Sequence, residues 1–184
     1  MCTEDDAAII ASYAEEVLPL AAASLGEEYF YQSLPLCVID AVFSIGIRYS
    51  GVKRVVGRYC EYTNQHRIRE GGQAPPIEDQ EAMKIFCDRC DRFSPEQMAD
   101  QIYQSRQRTS TCNGILKADA VAMFARCLRS YDVAYFQDLE RISDNPAFEA
   151  DIKAIPGQGS GISLQYFWML AGSDHLIKPD RMVL

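Results

Sequence analysis

The chain has 184 residues, of which 48% are hydrophobic and 24% charged, the profile of one ordinary globular domain. No apolar run reaches the 18 residues that a membrane span requires, and the acidic start of the chain is unlike a secretory signal. We therefore expect a cytoplasmic protein without membrane contact. The net charge of −8 would also argue against a nucleic-acid partner, were it spread evenly along the chain.

The charge is distributed unevenly. Residues 1–30 hold seven acidic residues and no basic one, whereas residues 48–69 hold six basic residues against a single acid, Glu61. The second segment predicts a basic face on an acidic protein. A solvated helix face that balances the acidic N-terminus explains the same pattern, so charge alone leaves both interpretations open.

Helical periodicity recurs along the first half of the chain, and no segment shows the strict alternation of a strand. Thr3 can cap an acidic helix that runs to about residue 23. Residues 34–45 carry a wide apolar stripe, which predicts a helix buried on nearly all sides. Ser50 is the predicted cap of a third helix, whose apolar residues keep the i, i+3, i+4, i+7 spacing and whose bases point outward.

The second half of the chain continues this pattern after a loop rich in glycine and proline at residues 66–77. Residues 78–92 predict a short amphipathic helix. Ser94 then begins another helix, with Pro at the first helical position and Gln97 three residues after the cap. Three further helices are predicted over about residues 115–130, 145–154 and 164–171.

The most informative segment is Ile155-Pro156-Gly157-Gln158-Gly159-Ser160-Gly161, which lies between two of the predicted helices. Glycines two residues apart let backbone N–H groups approach a phosphate closely, because glycine has no side chain in the way. A tight helix–helix turn that needs glycine for a positive φ explains the run equally well. The residues alone leave this choice open.

These elements predict an all-α fold, a compact multi-helix domain of seven to nine helices with the 34–45 helix at the centre of its core. We expect residues 1–184 to form one domain. Its parts are an acidic N-terminal helix (1–30), a helical core (34–130) and a C-terminal helix-hairpin-helix segment (145–184).

The glycine-rich segment resembles the hairpin of the helix-hairpin-helix DNA glycosylase superfamily. In that family a Leu-Pro-Gly-Val-Gly turn and a helix precede a catalytic Asp by about two dozen residues. Asp180, within Lys178-Pro179-Asp180-Arg181, lies at about that distance from Gly157. The resemblance implies a DNA-binding protein, in which Asp180 would activate water and stabilise the positive charge that develops on the sugar as an extruded base leaves.

The resemblance also implies where DNA would bind. The hairpin backbone would grip one phosphate, and basic side chains would meet others. The predicted DNA-binding residues are Gly157, Gln158, Gly159, Ser160, Gly161, Arg48, Lys53, Arg54, Arg106, Arg108 and Lys178.

The chain departs from the family pattern in ways that shape the expected reaction. Members that also cleave the strand carry a Lys two residues after the second hairpin Gly, where this chain has Gly161. We therefore expect monofunctional hydrolysis without a Schiff base, and no cofactor, since the family's iron–sulfur motif is missing. The alternative is a catalytically inactive binding or protein-interaction module, and a third interpretation is a simple turn in an unrelated helical protein.

Two further patterns are interpreted as packing rather than chemistry. Cys87-x-x-Cys90 lacks a second cysteine or histidine pair, so we predict no metal site and assign Cys90 to an apolar stripe. The aromatic run Tyr166-Phe167-Trp168 could offer stacking faces to a ligand, but aromatic residues on a helix are more often core. The odd number of cysteines, seven, favours reduced thiols over a disulfide framework.

Overall fold

The computed structural model describes residues 4–17, 26–71 and 73–172, and this part of the chain is helical and contains no strand. The α-helices are α1 (Glu4–Val17), α2 (Leu34–Phe43), α3 (Tyr49–Thr63), α4 (Met83–Asp91), α5 (Pro95–Gln97), α6 (Lys117–Ser130), α7 (Pro146–Ala154) and α8 (Ile162–Leu170). Short 3₁₀ turns lie at Glu27–Tyr29, Ile77–Asp79 and Phe136–Ile142, and α5 widens into a π turn over Met98–Ile102. The all-α prediction is confirmed.

α2 is the central helix, as its apolar sequence predicts. All ten of its residues are buried, and it packs against α3, α6 and α8. α4 packs against α6 and also contacts α2, and buried side chains of α2 to α4 and α6 to α8 join one hydrophobic cluster. Because α2 is enclosed on every side, it fixes how the surrounding helices are placed relative to one another.

The helix starts show which capping predictions hold. Ser94 caps α5: its Oγ accepts the N–H of Gln97 at 3.2 Å, and the Gln97 side chain accepts the N–H of Ser94 at 2.8 Å. The prediction for Ser50 is wrong, because α3 begins at Tyr49 with the extended residue Arg48 as its cap. The N-terminal helix ends at Val17 among the described residues, and its predicted extension to residue 23 lies outside them.

Three charged side chains are buried among the described residues: Arg69, which donates a hydrogen bond to the Tyr31 carbonyl oxygen at 2.6 Å, Lys117 and Asp40. Lys117, at the first residue of α6, is 2% exposed and donates hydrogen bonds to the carbonyl oxygens of Phe43 (2.8 Å) and Ile45 (2.5 Å). It therefore closes the carboxyl end of α2, where helix carbonyls otherwise lack partners. Asp40, in the middle of α2, is fully buried and accepts a hydrogen bond from the Tyr31 hydroxyl at 2.6 Å.

Tyrosines surround this buried carboxylate. The Tyr166 hydroxyl of α8 also hydrogen-bonds with Asp40. Burial, with the Asp40 charge as the next contribution, raises the pKa of both Tyr31 and Tyr166 above the ordinary value of 10.0. Both phenols therefore stay neutral and act as donors in the folded protein.

Candidate helix-hairpin-helix site

The connection between α7 and α8 consists of two consecutive tight turns. Asn145 caps α7 through its side chain, and Pro146 stands at the first helical position. After α7, the N–H of Gln158 donates to the carbonyl of Ile155 at 2.9 Å, and the N–H of Gly161 donates to the carbonyl of Gln158 at 2.9 Å. The chain thus reverses direction within seven residues and enters α8.

Two of the hairpin glycines are required by backbone conformation. Gly157 has φ +86° and Gly161 has φ +73°, both in the left-handed region that favours glycine. A Cβ at Gly157 would also lie 2.3 Å from the Cβ of Thr109, so the hairpin packs directly against the segment that precedes α6. Gly159 is outside the left-handed region and has open surroundings, since the nearest atom to a Cβ placed there would be the Lys153 carbonyl oxygen at 3.8 Å.

The outer turn of the hairpin exposes backbone donors. Gly159 and Ser160 are exposed, and their N–H groups have no acceptor among the described residues. They stand immediately before the N-terminus of α8, where the helix dipole favours negative charge. This arrangement can bind an anion such as a phosphate through the backbone.

Gln158 is placed differently from its predicted role in DNA binding. Its side chain is 2% exposed and accepts a short hydrogen bond from the Ser163 hydroxyl, while its N–H is used within the first turn. Neither group is available to a ligand. Gln158 instead holds the hairpin to α8 through its bond with Ser163. The N–H of the buried Gly161 is also already bonded within the hairpin, to the Gln158 carbonyl oxygen.

α2 and α8 run antiparallel, which fixes what lies beside the hairpin. Cys37, near the start of α2, donates to the carbonyl of Leu170 at the end of α8, and Asp40 meets Tyr166 midway along both helices. The carboxyl end of α2 therefore lies at the same end of the molecule as the hairpin. Lys117 contacts that end of α2, so the start of α6 lies there as well.

The predicted basic residues divide into two groups in the structure. Arg48, which caps α3 just after the end of α2, and Arg54 are exposed and have no polar partner among the described residues. Lys53 lies over the Tyr49 ring, 4.7 Å from its centroid. Because α3 begins beside the carboxyl end of α2, these three bases belong to the hairpin end of the molecule.

The other two described bases are partly engaged. Arg106 forms a bidentate ion pair with Asp100, with both contacts at 2.6 Å, so its charge is largely neutralised. Arg108 donates to the carbonyl of Gly114 at 2.7 Å and is followed by Thr109, the residue that packs on Gly157. Arg108 therefore lies next to the hairpin, whereas the charge of Arg106 is already paired with Asp100. Lys178 and Asp180 lie outside the described residues.

A cavity of about 290 Å³ opens beside the hairpin, between α7, α8 and the residues just before α7. Phe148, Leu164 and Trp168 supply apolar walls, and polar groups at its edge include Lys153 and Gln165. Of the residues that line the cavity, the sequence analysis singled out Ser160 and Gly161 for DNA binding and Trp168 for stacking, and it did not name the α7 residues. In the sequence the lining residues form pairs four positions apart on α7 and α8. Any packed helix face has the same spacing, so the pairs do not indicate a cavity.

The other aromatic residues and the cysteine pair have structural roles. Tyr166 and Phe167 are buried in the core, whereas Trp168 is half-buried and reaches the cavity. Cys87 and Cys90 are both buried, and burial raises the pKa of Cys90 to about 12. Among the described residues no three Cys, His, Asp or Glu side chains are grouped to hold a metal ion.

Comparison with known proteins identifies one family. A family model described as Domain of unknown function (DUF8548) matches residues 8–184. No curated protein and no solved structure matches the chain significantly. Separately, none of the helices in the described part of the chain has the length and apolar character needed to cross a lipid bilayer.

Proposed function

Since the chain belongs to the DUF8548 family, whose description carries no activity, we propose its function from its own geometry: a helix-hairpin-helix protein that binds the phosphate backbone of DNA. One observation carries the proposal. The N–H groups of Gly159 and Ser160 are exposed, lack acceptors among the described residues and precede the N-terminus of α8. Backbone donors in this position are suited to a phosphate oxygen.

The surrounding charge supports this assignment. Arg48, Lys53 and Arg54 lie on α3 at the hairpin end, and Arg108 adjoins the residue that packs on the hairpin. Cations around a backbone donor pair extend contact from one phosphate to its neighbours along a strand. Seven of the chain's acidic residues lie in residues 1–30, so the basic residues at the hairpin end are separated from them in sequence.

The first test introduces one negative charge at the hairpin. We expect Ser160→Glu to weaken binding to a short fluorescein-labelled duplex at least 10-fold in an anisotropy titration, because a carboxylate would compete with phosphate for the free N–H groups. If about four phosphates are contacted, wild-type affinity should also fall about 100-fold between 50 and 200 mM salt.

Ser130→Glu is the matched control. It makes the same change at another exposed serine, at the carboxyl end of α6, whereas the amino end of α6 lies near the hairpin. We expect it to alter affinity less than twofold. Equal loss in both variants, affinity that does not change with salt, or no binding at 50 mM salt would contradict the proposal.

A second candidate function, removal of an extruded base, is favoured by the cavity beside the hairpin. Its volume of about 290 Å³ is large enough for a flat ring taken out of the base stack, and the half-buried Trp168 supplies an aromatic wall. The family resemblance supports Asp180 as the carboxylate that activates water. A catalytically inactive binding module remains the alternative.

Duplexes that carry deaminated or methylated bases test this second function. We expect release of the free base and an abasic site that breaks only in alkali, because Gly161 supplies no amine for a Schiff base. Asp180→Asn should abolish release and leave DNA affinity unchanged or slightly higher. Asp132→Asn, at an exposed Asp with φ +58° that Asn also tolerates, should retain release.

Three results would count against base removal by this mechanism. Release that survives Asp180→Asn would show that another group activates water. Strand breakage without alkali would show a Schiff base instead of hydrolysis. A wild-type protein that binds DNA tightly and releases no base would favour the inactive binding module.

A further inference from the structure

Lys153, in the last turn of α7, lies against the hairpin. Its side chain crosses the backbone at Gly161, since a Cβ placed on Gly161 would be 2.8 Å from Cε and 3.6 Å from Nζ of Lys153. The ammonium group is therefore close to the residue that follows Ser160, whose N–H has no acceptor among the described residues. Lys153 and Ser160 also line the same cavity.

This contact gives Gly161 a role beyond its backbone conformation. Its φ of +73° is one that Asn also tolerates, so conformation alone does not require glycine. A side chain at this position would push Lys153 away from the turn, because its Cβ would overlap the Lys153 Cε. The absence of a side chain at Gly161 therefore leaves room for the cation beside the free backbone donors.

A carboxylate already pairs with this cation. Glu149, one turn earlier on α7, forms an i, i+4 ion pair with the Lys153 Nζ. The Glu149 side chain is 52% exposed and the Lys153 side chain 41% exposed, and ion pairs this exposed are weak because water and salt screen them. A phosphate oxygen at the turn can therefore compete with Glu149 for the ammonium group.

The other charge at the cavity edge increases the importance of this competition. The edge carries two carboxylates, Asp144 and Glu149, against the single ammonium of Lys153. While the ion pair is intact, this balance weakens the attraction for a phosphate. Removing the charge of Glu149 would therefore improve binding.

We propose that Lys153 is the cation of the hairpin phosphate site and that Glu149 is its built-in competitor. A DNA phosphate at the free N–H groups of Gly159 and Ser160 takes the Lys153 ammonium from Glu149, so the ion pair breaks when DNA binds. The inference rests on the proposed function, since it concerns the same phosphate. It adds that an ion pair on α7 lowers the affinity of the hairpin for DNA.

An ordinary helix-stabilising pair is the other interpretation, because Glu and Lys four residues apart stabilise a helix slightly. The chain offers a matched pair for comparison. Lys84 and Asp88 form an i, i+4 ion pair on α4. Asp88 also contacts Arg129 at the carboxyl end of α6, whereas the amino end of α6 lies near the hairpin.

Anisotropy titration of the full chain with a fluorescein-labelled duplex at 50 mM salt tests the proposal. Glu149→Gln frees the ammonium, so we expect it to tighten binding about 3-fold. Lys153→Gln should weaken binding about 5-fold and reduce the slope of log affinity against log salt by about one. Lys153→Gln combined with Glu149→Gln should still bind about 3-fold more weakly than wild type, because the cation is gone.

Asp88→Asn and Lys84→Gln are the matched controls. They make the same charge changes in the pair on α4, and each should alter affinity by less than about twofold.

Two results would overturn the proposal alone. A double variant that binds as tightly as wild type would show that Lys153 only neutralises Glu149. A Glu149→Gln affinity no higher than that of Asp88→Asn would show that Glu149 does not compete with phosphate. In either case a loss of binding in Ser160→Glu would leave the proposed function standing, whereas no binding by wild type or by Glu149→Gln would overturn both.

Discussion

Alkaline solution is expected to unfold the protein in one cooperative transition that begins between pH 9 and 10, because burial raises the pKa of the Cys37, Cys60 and Cys90 thiols above their ordinary value of 9.0 and raises that of four tyrosines above 10.0. Burial raises the pKa of Tyr31, Tyr59, Tyr103 and Tyr166 above the ordinary value of 10.0. In the unfolded chain the same phenols ionise at about pH 10. The stability that they contribute is therefore complete below pH 10 and is lost as the pH rises from 10 towards their raised folded-state pKa values.

The expected effect is large. Each buried phenol removes about 1.4 kcal/mol of unfolding free energy per pH unit above 10, and four together remove about 5 kcal/mol per unit. That approaches the whole stability of many domains, about 5–15 kcal/mol. The far-UV circular dichroism signal and the absorbance of the buried tyrosinates should therefore change together between about pH 9 and 12.

Tyr103→Phe identifies the contribution of one phenol. The Tyr103 hydroxyl has no hydrogen-bond partner among the described residues, so its removal costs little packing and deletes one ionisable group. We expect its alkaline midpoint to move upward. Tyr13→Phe, at a 65% exposed tyrosine of α1, is the matched control and should leave the midpoint in place. Tyrosinate that forms well before the helical signal is lost would contradict burial of these rings.

Gly157→Ala is expected to destabilise the fold by about 2–4 kcal/mol, the largest effect among the glycines of the hairpin. A left-handed φ of +86° costs a residue with a Cβ about 1–2 kcal/mol. The steric conflict with Thr109, whose Cβ lies 2.3 Å from the new atom, adds about 1–2 kcal/mol. For a domain of this size we expect the melting temperature to fall by about 5–15 °C.

Gly46→Ala separates the two causes. Gly46 has φ +75° but no atom within 4 Å of its Cβ position, so only the conformational cost remains. In a Thr109→Gly background, Gly157→Ala should cost no more than Gly46→Ala does in the wild type. Equal melting temperatures for the two single variants would show that the hairpin does not pack against Thr109.

Helix periodicity predicted most of the fold because apolar spacing records which face of each helix is buried. α2 lies at the centre as its apolar stripe indicated, the cap at Ser94 matches its sequence signal, and the helix expected over about residues 145–154 is α7. The 3₁₀ turn at Phe136–Ile142 was not predicted. Asp138 fixes its start by accepting the N–H groups of Ala134 and Tyr135, a local bond without a periodic pattern.

The candidate site was less accessible from the sequence, because several of its contacts join distant residues or bury polar ones. The glycines did indicate a turn between α7 and α8, which the structure has. Burial of Gln158 depends on Ser163, and neutralisation of Arg106 depends on Asp100. The sequence separation of neither pair follows a helix or strand period, so neither bond could be predicted from the sequence. The same holds for Thr109, whose contact with Gly157 arises only when α6 and the hairpin meet at one end of the molecule.

The buried Lys117 ammonium has a consequence for how the protein folds. It closes the carboxyl end of α2 across separations of 74 and 72 residues, to Phe43 and Ile45. Local bonds from Ser44 to the Asp40 and Ala41 carbonyls also close this end of α2, but the Phe43 and Ile45 carbonyls gain the Lys117 donor only when α6 is packed in place. This long-range contact couples the end of α2 to the start of α6, so we expect the amide protons of the two elements to exchange with solvent through a shared opening.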